Sequence, residues 1–315
     1  METANRYINT ILETGSISRA AKKLGITQPA LSLWLTRLED RVGFQIFNRE
    51  SAAIALTEEG AAYLEYTERQ IAEKKRFQHR LEDIRGGVTG TVTLGGSSCF
   101  NSLYIPPAVR NFVNRYPGAS VRIINGTVGE IAERTLGGEI DIFLSPENTG
   151  LKGIVFEELF SEYVLLCIPA EWEINDALTE YRIPEELILT GKLDGESRAA
   201  VPFERLSGLP FIRLGKDIQI GRVADELFNR RGMTETSFIT ADQMSTSLSM
   251  TAAGLGMSLI TETVIRYGNR KTLPAFYMID SDLGLRRMYM SSARDAYVSK
   301  ACAAMKQVFR ETLKK

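Results

Sequence analysis

The chain has 315 residues, 44% hydrophobic and 24% charged, enough for a large core and two or three domains. A formal net charge of −1 excludes binding of a polyanion through bulk charge, so any nucleic-acid surface must come from local asymmetry. Three scattered cysteines, one histidine (His79) and the lack of any apolar run near the roughly 18 residues of a membrane helix argue against a disulfide framework, a His-ligated metal, most His-based catalysis and a membrane span.

The N-terminal stretch is amphipathic and polar-flanked, without the apolar run of a signal peptide, so the expected location is a reducing cytoplasm. Residues 1–57 read as short helices followed by a hairpin-like stretch. Between Ile17 and Arg49 stand Arg19, Lys22, Lys23, Arg37, Arg41 and Arg49 against Glu39 and Asp40. This segment is therefore locally basic in a nearly neutral chain. Ser16 or Ser18 can cap a helix that turns Ala20, Ala21 and Leu24 inward, and Gly25 suits its end. Thr27 caps the next helix and Pro29 sits in its first turn, where a missing N–H costs nothing. Leu31, Leu35, Leu38 and Val42 then form one buried stripe.

Two helices meeting at a glycine turn form the helix-turn-helix pattern. A corner of some other helical domain would look similar, and the local charge favours DNA. Pro29, Ser32, Leu33 and Thr36 lie opposite the buried stripe, and Gln28 projects forward. Gln28 can bond adenine bidentately, Ser32 and Thr36 can reach phosphates or base edges, and Leu33 can touch thymine methyls. Arg19, Lys22, Arg37 and Arg49 are candidate phosphate contacts. Trp34, near the edge of the stripe, reads as packing.

Residues 58–85 form one proline-free helical pattern, about 42 Å long at 1.5 Å per residue. Its apolar positions are Leu64, Ile71, Leu81 and Ile84, with Tyr63, Tyr66 and Phe77 nearby. A helix this long needs cover for its apolar side, from a second copy or from its own chain. The run Glu73–Arg76 reads as a solvated face. Gly86, Gly87 and Gly90 follow as a hinge.

The remainder alternates strands and helices: strand 91–94, helix 103–116, strand 121–124, helix 128–136, strand 140–144, then strands 211–213, 237–239 and 257–260. The tail from 273 reads strand, strand, helix. Ligands in such folds bind beyond the carboxyl ends of strands, beside helix N-termini. That rule points to Gly95, Gly96, Ser97, Ser98 and Cys99, to Asn125, Gly126 and Thr127, to Arg213, and to residues 243–246 with Ser245. Converging hydroxyls and N–H groups suit a small anion or carboxylate. Helix capping is the plain alternative for each Ser or Thr alone.

Gly15-Ser16, Ala20-Ala21, Leu24, Thr27 to Ala30, Ser32, Leu38-Glu39, Gly43, Ile46-Phe47, Arg49, Leu56-Thr57 and Gly60 occur in an order that resembles the LysR-type regulator family. Weaker similarity continues through Leu94-Gly95, Tyr116-Pro117, residues 138–141 and residues 253–257. The resemblance implies an α+β multidomain chain. A winged helix-turn-helix would occupy 1–57 and a linker and dimerisation helix 58–87. A two-lobed α/β effector domain like a type II periplasmic binding protein would occupy 88–315, with lobe one at 88–164 and 273–315 and lobe two at 165–272. It places effector contacts at Ser98 and Thr127, and more loosely around Gln219 and Ser245. The implied partners are double-stranded DNA, a small-molecule effector and further copies of the chain as homodimer or homotetramer, with RNA polymerase as another candidate. No cofactor is implied.

Two departures from the family pattern stand out. Leu33-Trp34 replaces a usual basic or polar pair, and the wing, residues 50–55, carries no base, which predicts a smaller salt dependence. Residues 171–209 form an irregular entry to lobe two without an assigned role. Cys99 has no evident partner for redox sensing. An enzyme or a solute-binding module built on the α/β part is the alternative. No nucleophile–base pair, metal set or phosphate loop supports the enzyme, and the attached head argues against the solute-binding module.

Overall fold

The computed structural model describes residues 1–48, 54–146, 148, 150–216, 218–233, 236–268 and 273–313. The head consists of α1 (Glu2–Thr14), α2 (Ile17–Leu24) and α3 (Gln28–Val42). Ser16 caps α2 and Thr27 caps α3, each accepting from a backbone N–H three residues on. Gly25 ends α2 in the left-handed conformation (φ 69°), which leaves room for the tight turn. Ala20 and Ala21 are buried where α3 crosses, and they pack with Ile8, Ile11, Leu31, Leu35, Leu38, Ile46 and Phe47. Val42 is half-buried at the stripe's end. Glu39 is buried in α3 and accepts the Ile46 N–H at 2.8 Å, which locks the chain after the helix onto it. A bridge between Phe47 and Leu56 marks the base of the wing. The wing tip and Arg49 lie outside the described residues.

Thr57 caps α4 (Glu58–Arg85), the linker helix, whose bounds match those read from sequence. Gly60 is required for close approach rather than for backbone freedom: a Cβ there would collide with the Ile46 carbonyl. This contact fixes the linker helix on the head. No described helix is long and apolar enough to cross a membrane.

The α/β domain begins with β1 (Gly90–Gly96), which pairs in parallel with β2 (Ala119–Asn125) and β3 (Ile142–Ser145). The crossovers are α5 (Ile105–Arg115) and α6 (Val128–Leu136), with a π-helical turn over Phe100–Tyr104 opening the first. The 15-residue β4 (Ile154–Ile168) runs on from the first lobe into the second. There follow α7 (Ile174–Ala177), β5 (Arg182–Ile183), α8 (Glu185–Leu189), β6 (Pro210–Leu214), α9 (Gln219–Arg230), β7 (Thr236–Ala241), α10 (Met244–Ala252), β8 (Ser258–Thr261), α11 (Glu262–Tyr267) and β9 (Ala275–Met278). The chain closes with α12 (Ser281–Gly284), β10 (Leu285–Ala293) and α13 (Lys300–Leu313).

The main sheet runs β2-β1-β3-β10-β4-β9-β5 with β8 also on β4, while β6 and β7 pair separately. The long strand β4 carries the sheet from one hydrophobic core to the other, with β10 antiparallel along Ile154–Tyr163 and β8 and β9 along the rest. Two sequence expectations are corrected. Gly95 and Gly96 lie inside β1 rather than in the loop after it, and a Cβ on Gly95 would meet Ile131 and Ile140 at 2.8 and 2.9 Å. The return to lobe one comes at β10 and not at 273, because β9 pairs with the far end of β4 and Phe276, Tyr277 and Met278 fill the second core.

The irregular stretch 171–209 packs onto that second core through Leu178, Ile183, Ile188, Leu193, Val201, Phe203 and Leu206. Buried Asn175 organises its start. Its amide donates to the Pro169 and Trp172 carbonyls, and its Oδ1 accepts the Tyr277 hydroxyl at 2.8 Å.

Candidate DNA-reading face and effector cleft

The face of α3 opposite its buried stripe is open. Gln28, Pro29, Leu33, Thr36 and Arg37 are exposed, and Leu33 reaches 51% exposure despite its apolar side chain. Ser32 is half-buried, and the Gln28 amide donates to its Oγ at 2.9 Å. Two expected readers therefore hold each other at the N-terminal end of the helix. Trp34 packs edge-on against Tyr7 at 4.8 Å between ring centroids, so it belongs to the head's core. Lys22 and Arg37 are exposed and carry no ion pair among the described residues, while Lys23 pairs with Glu13. Arg19 folds back, and its Nε donates to the Thr14 carbonyl at 2.9 Å. Burial of Glu39 removes one of the two acidic groups from this surface, which leaves the face more basic than composition suggests.

In lobe one the strand ends converge. Ser98 Oγ bonds Asn125 Oδ1 at 3.1 Å, and Gly126 N–H donates to the Gly96 carbonyl at 3.3 Å, which joins the loops after β1 and β2. Asn101, which sequence reasoning missed, braces both from below: its amide donates to the Gly96 and Ile124 carbonyls at 3.0 and 3.1 Å. Its Oδ1 is buried without a hydrogen-bond partner among the described residues. Ser97 and Ser98 are half-buried above it.

Thr127 caps α6 in a full capping box. Glu130 Oε2 accepts the Thr127 N–H at 2.8 Å and its hydroxyl at 3.0 Å, and these bonds hold the Glu130 carboxyl below its ordinary range. Gln219, the first residue of α9, reaches across from lobe two and donates to the Pro146 carbonyl at 3.4 Å, just beyond the end of β3. Ser245 is exposed in the first turn of α10. Arg213 is half-buried and ion-paired with Asp225 of α9, so the expected free cation for an effector is already engaged inside lobe two.

Behind these loops, at the crossover, a polar cluster is sealed from solvent. The Tyr104 hydroxyl lies 2.8 Å from both oxygens of Glu162 and 3.3 Å from the Thr261 hydroxyl. Arg286, opposite Glu162 in the β4–β10 register, stands 3.6 Å from the same carboxylate and over the Phe100 ring. Burial pushes the Tyr104 phenol well above its usual range and the neighbouring Cys99 thiol to about 11. Cys302 rises to about 12 for the same reason, so both thiols are held in the poorly reactive protonated form.

The linker helix is clasped by lobe one. Lys75 pairs with Asp141 at 2.9 Å and donates to the Glu139 carbonyl, while the other Asp141 oxygen accepts the Thr93 N–H of β1 at 2.7 Å. At the far end Asp83 accepts from the Tyr297 hydroxyl (2.7 Å) and the Lys300 N–H (3.0 Å). Lys75 is therefore no solvated charge, contrary to the reading of the run 73–76.

Residues 3–61 match the family described as "Bacterial regulatory helix-turn-helix protein, lysR family". Residues 85–314 match the LysR substrate binding domain. The chain belongs to the LysR family of transcriptional regulators. Among relatives of this LysR-type regulator, YcgK of Bacillus subtilis, an HTH-type transcriptional regulator, is 24% identical over 98% of this chain and 93% of its own length. IlvR of Caulobacter vibrioides, also an HTH-type transcriptional regulator, is 28% identical over 81% of this chain and 80% of its own. Among solved structures, the LysR family regulator CbnR superposes with a TM-score of 0.60 at 21% identity, covering 99% of this chain and 98% of that one. Full-length BenM gives 0.54 at 18% identity, covering 98% and 94%.

Proposed function

We propose that this LysR-type regulator reads DNA with the exposed face of α3 and is gated by a small anionic molecule bound between the lobes. Gln28, Ser32, Leu33 and Thr36 face the bases, and Pro29 lets the helix start close to the groove. Lys22, Arg37 and Arg49 meet phosphates. Arg19 joins them once it releases the Thr14 carbonyl. Ser97, Ser98 and Thr127 supply the lobe-one contacts to the effector, and Gln219 and Ser245 the lobe-two contacts. Arg213 drops out of that set because Asp225 holds it. The protein acts by binding rather than by catalysis, in the cytoplasm, with no cofactor. RNA polymerase is a further partner.

The observation that carries this reading is the double role of Asp141. One carboxylate oxygen holds Lys75 on the linker helix and the other holds the N–H of Thr93, four residues before Ser97 on the same strand and its loop. Movement of the effector loop therefore reaches the helix that carries the DNA-reading head. CbnR has been solved with its target DNA, which supports the same use of the head here.

The test is selection of genomic fragments by the full-length protein against random DNA. The proposal expects a recurrent two-fold symmetric site. Fragments no better bound than random DNA would contradict it.

A further inference from the structure

Glu162 and Arg286 face each other one rung before β10 ends its pairing with β4, where β4 goes on with β8 and β9. Both are sealed from solvent, at 0% and 4% exposure. Yet the Arg286 Nε stays 3.6 Å from the carboxylate, whereas a closed arginine–carboxylate pair brings nitrogen and oxygen to about 2.7–2.9 Å. Nε and Nη1 of Arg286 find no hydrogen-bond acceptor among the described residues. Buried donors left open are costly, so something must hold this pair apart. The π-helical turn over Phe100–Tyr104 occupies both ends of it. The Tyr104 hydroxyl stands 2.8 Å from each carboxylate oxygen, and the Phe100 ring centroid lies 5.5 Å from the guanidinium carbon. The two rings pack edge-on at 5.0 Å, so they move as one body. The turn is tied to its neighbours on both sides. The Asn101 N–H donates to the Ser97 carbonyl at 2.9 Å, and the Tyr104 hydroxyl lies 3.3 Å from that of Thr261 in lobe two.

We propose that Phe100 and Tyr104 form a wedge that keeps Glu162 and Arg286 apart, and that withdrawing it lets the two close into a bidentate pair that locks the crossover. Tyr104 is then a positioning residue, acting through Glu162 on the strands that join the lobes. One carboxylate with two exclusive partners, a phenol or a guanidinium, gives the domain a two-state element. A π-helical turn suits this task, since such turns stand mostly at functional sites. The trigger rests on the effector reading of Ser97 and Ser98: a ligand that draws that loop moves the turn through the bond between Ser97 and Asn101. The wedge itself does not depend on that reading.

Hydrogen exchange of the full-length protein, read by mass spectrometry, separates a wedge from a plain buried bond. Tyr104→Phe keeps the ring and removes the hydroxyl. If the hydroxyl only stabilises, its loss leaves a buried carboxylate short of a donor, and the turn and the crossover both exchange faster. The wedge predicts opposite signs. Residues 100–104 should exchange faster, while 160–164 and 285–288 should exchange about tenfold more slowly as the charge-assisted pair forms. Phe100→Leu, which relieves the guanidinium side, should slow the same crossover amides. Adding Arg286→Lys to Tyr104→Phe should abolish the slowing, because an ammonium cannot make the bidentate pair. On the selected DNA site, Tyr104→Phe should change the footprint with no acid added. Crossover amides that exchange at the parent's rate or faster in the folded single variants, slowing that survives Arg286→Lys, or an unaltered footprint would each overturn the proposal. None of these measurements uses an effector, so their failure leaves the effector reading standing, and failure of that reading leaves the wedge standing.

Discussion

Gln28 and Ser32 show how much of a reading surface depends on atoms rather than residue types. The spacing of the polar positions was legible because α3 has a clear buried stripe and a capped start. The bond between the two side chains was not, because each could equally have pointed at solvent. Breaking that bond to engage a base frees both groups at the helix N-terminus, where major-groove readers act. Gln28→Ala should cost about 1–3 kcal/mol on the selected site and little on random DNA, measured by fluorescence anisotropy; equal losses on both would remove it as a base reader. Lys22→Ala, by contrast, should weaken both DNAs alike and lower the salt slope by about one. Thr127 marks the limit of sequence reading at this scale. A threonine before a helix predicts a cap and a ligand contact equally well, and here its hydroxyl and N–H are both turned to Glu130. Under the proposed function, an effector that reaches Thr127 has to compete with Glu130.

At the scale of elements, helices with clean starts and stops were the most readable. The linker helix is bounded by Thr57 and by Gly86, with no proline between, and its observed bounds are those expected. The π-helical turn at Phe100–Tyr104 left no local signal, since it answers to Tyr104 reaching Glu162 on a distant strand. The assignment of β9 to lobe two was hidden for a similar reason: apolar strands of both lobes look alike, and only pairing with β4 separates them. Asp141 was visible as part of a family-like motif, but its grip on Lys75 depends on how the linker helix lies along lobe one. One close backbone junction is Gly60 against the Ile46 carbonyl. Gly60→Ala should destabilise the docking of the head on the linker by about 1–3 kcal/mol, the usual cost of overpacking against backbone. Thermal unfolding followed by tryptophan fluorescence in a Trp172→Phe background, where Trp34 is the sole reporter, checks this, and a variant as stable as the parent would show that the junction yields.

At the scale of the whole molecule, α4 presents more apolar surface than one chain covers. Tyr66, Phe77 and Ile84 are 46%, 61% and 79% exposed. Their separations of eleven and seven residues place them within about 20° of one another around the helix at 100° per residue. A stripe of this kind fits the same helix of a second copy, and a dimer with two heads asks for a symmetric DNA site. Replacing Phe77 and Ile84 together with Glu should shift the sedimentation profile towards monomer; an unchanged profile would move the contact elsewhere. In the proposed function the loops after β1 and β2 control the DNA-bound state. Its most direct test is a footprint of the full-length protein on its selected site, titrated with small organic acids, for the parent and for Ser98→Ala combined with Thr127→Ala. One acid should change the parent's footprint, and the double variant should bind the same site but no longer respond. A double variant that responds as the parent does would contradict it.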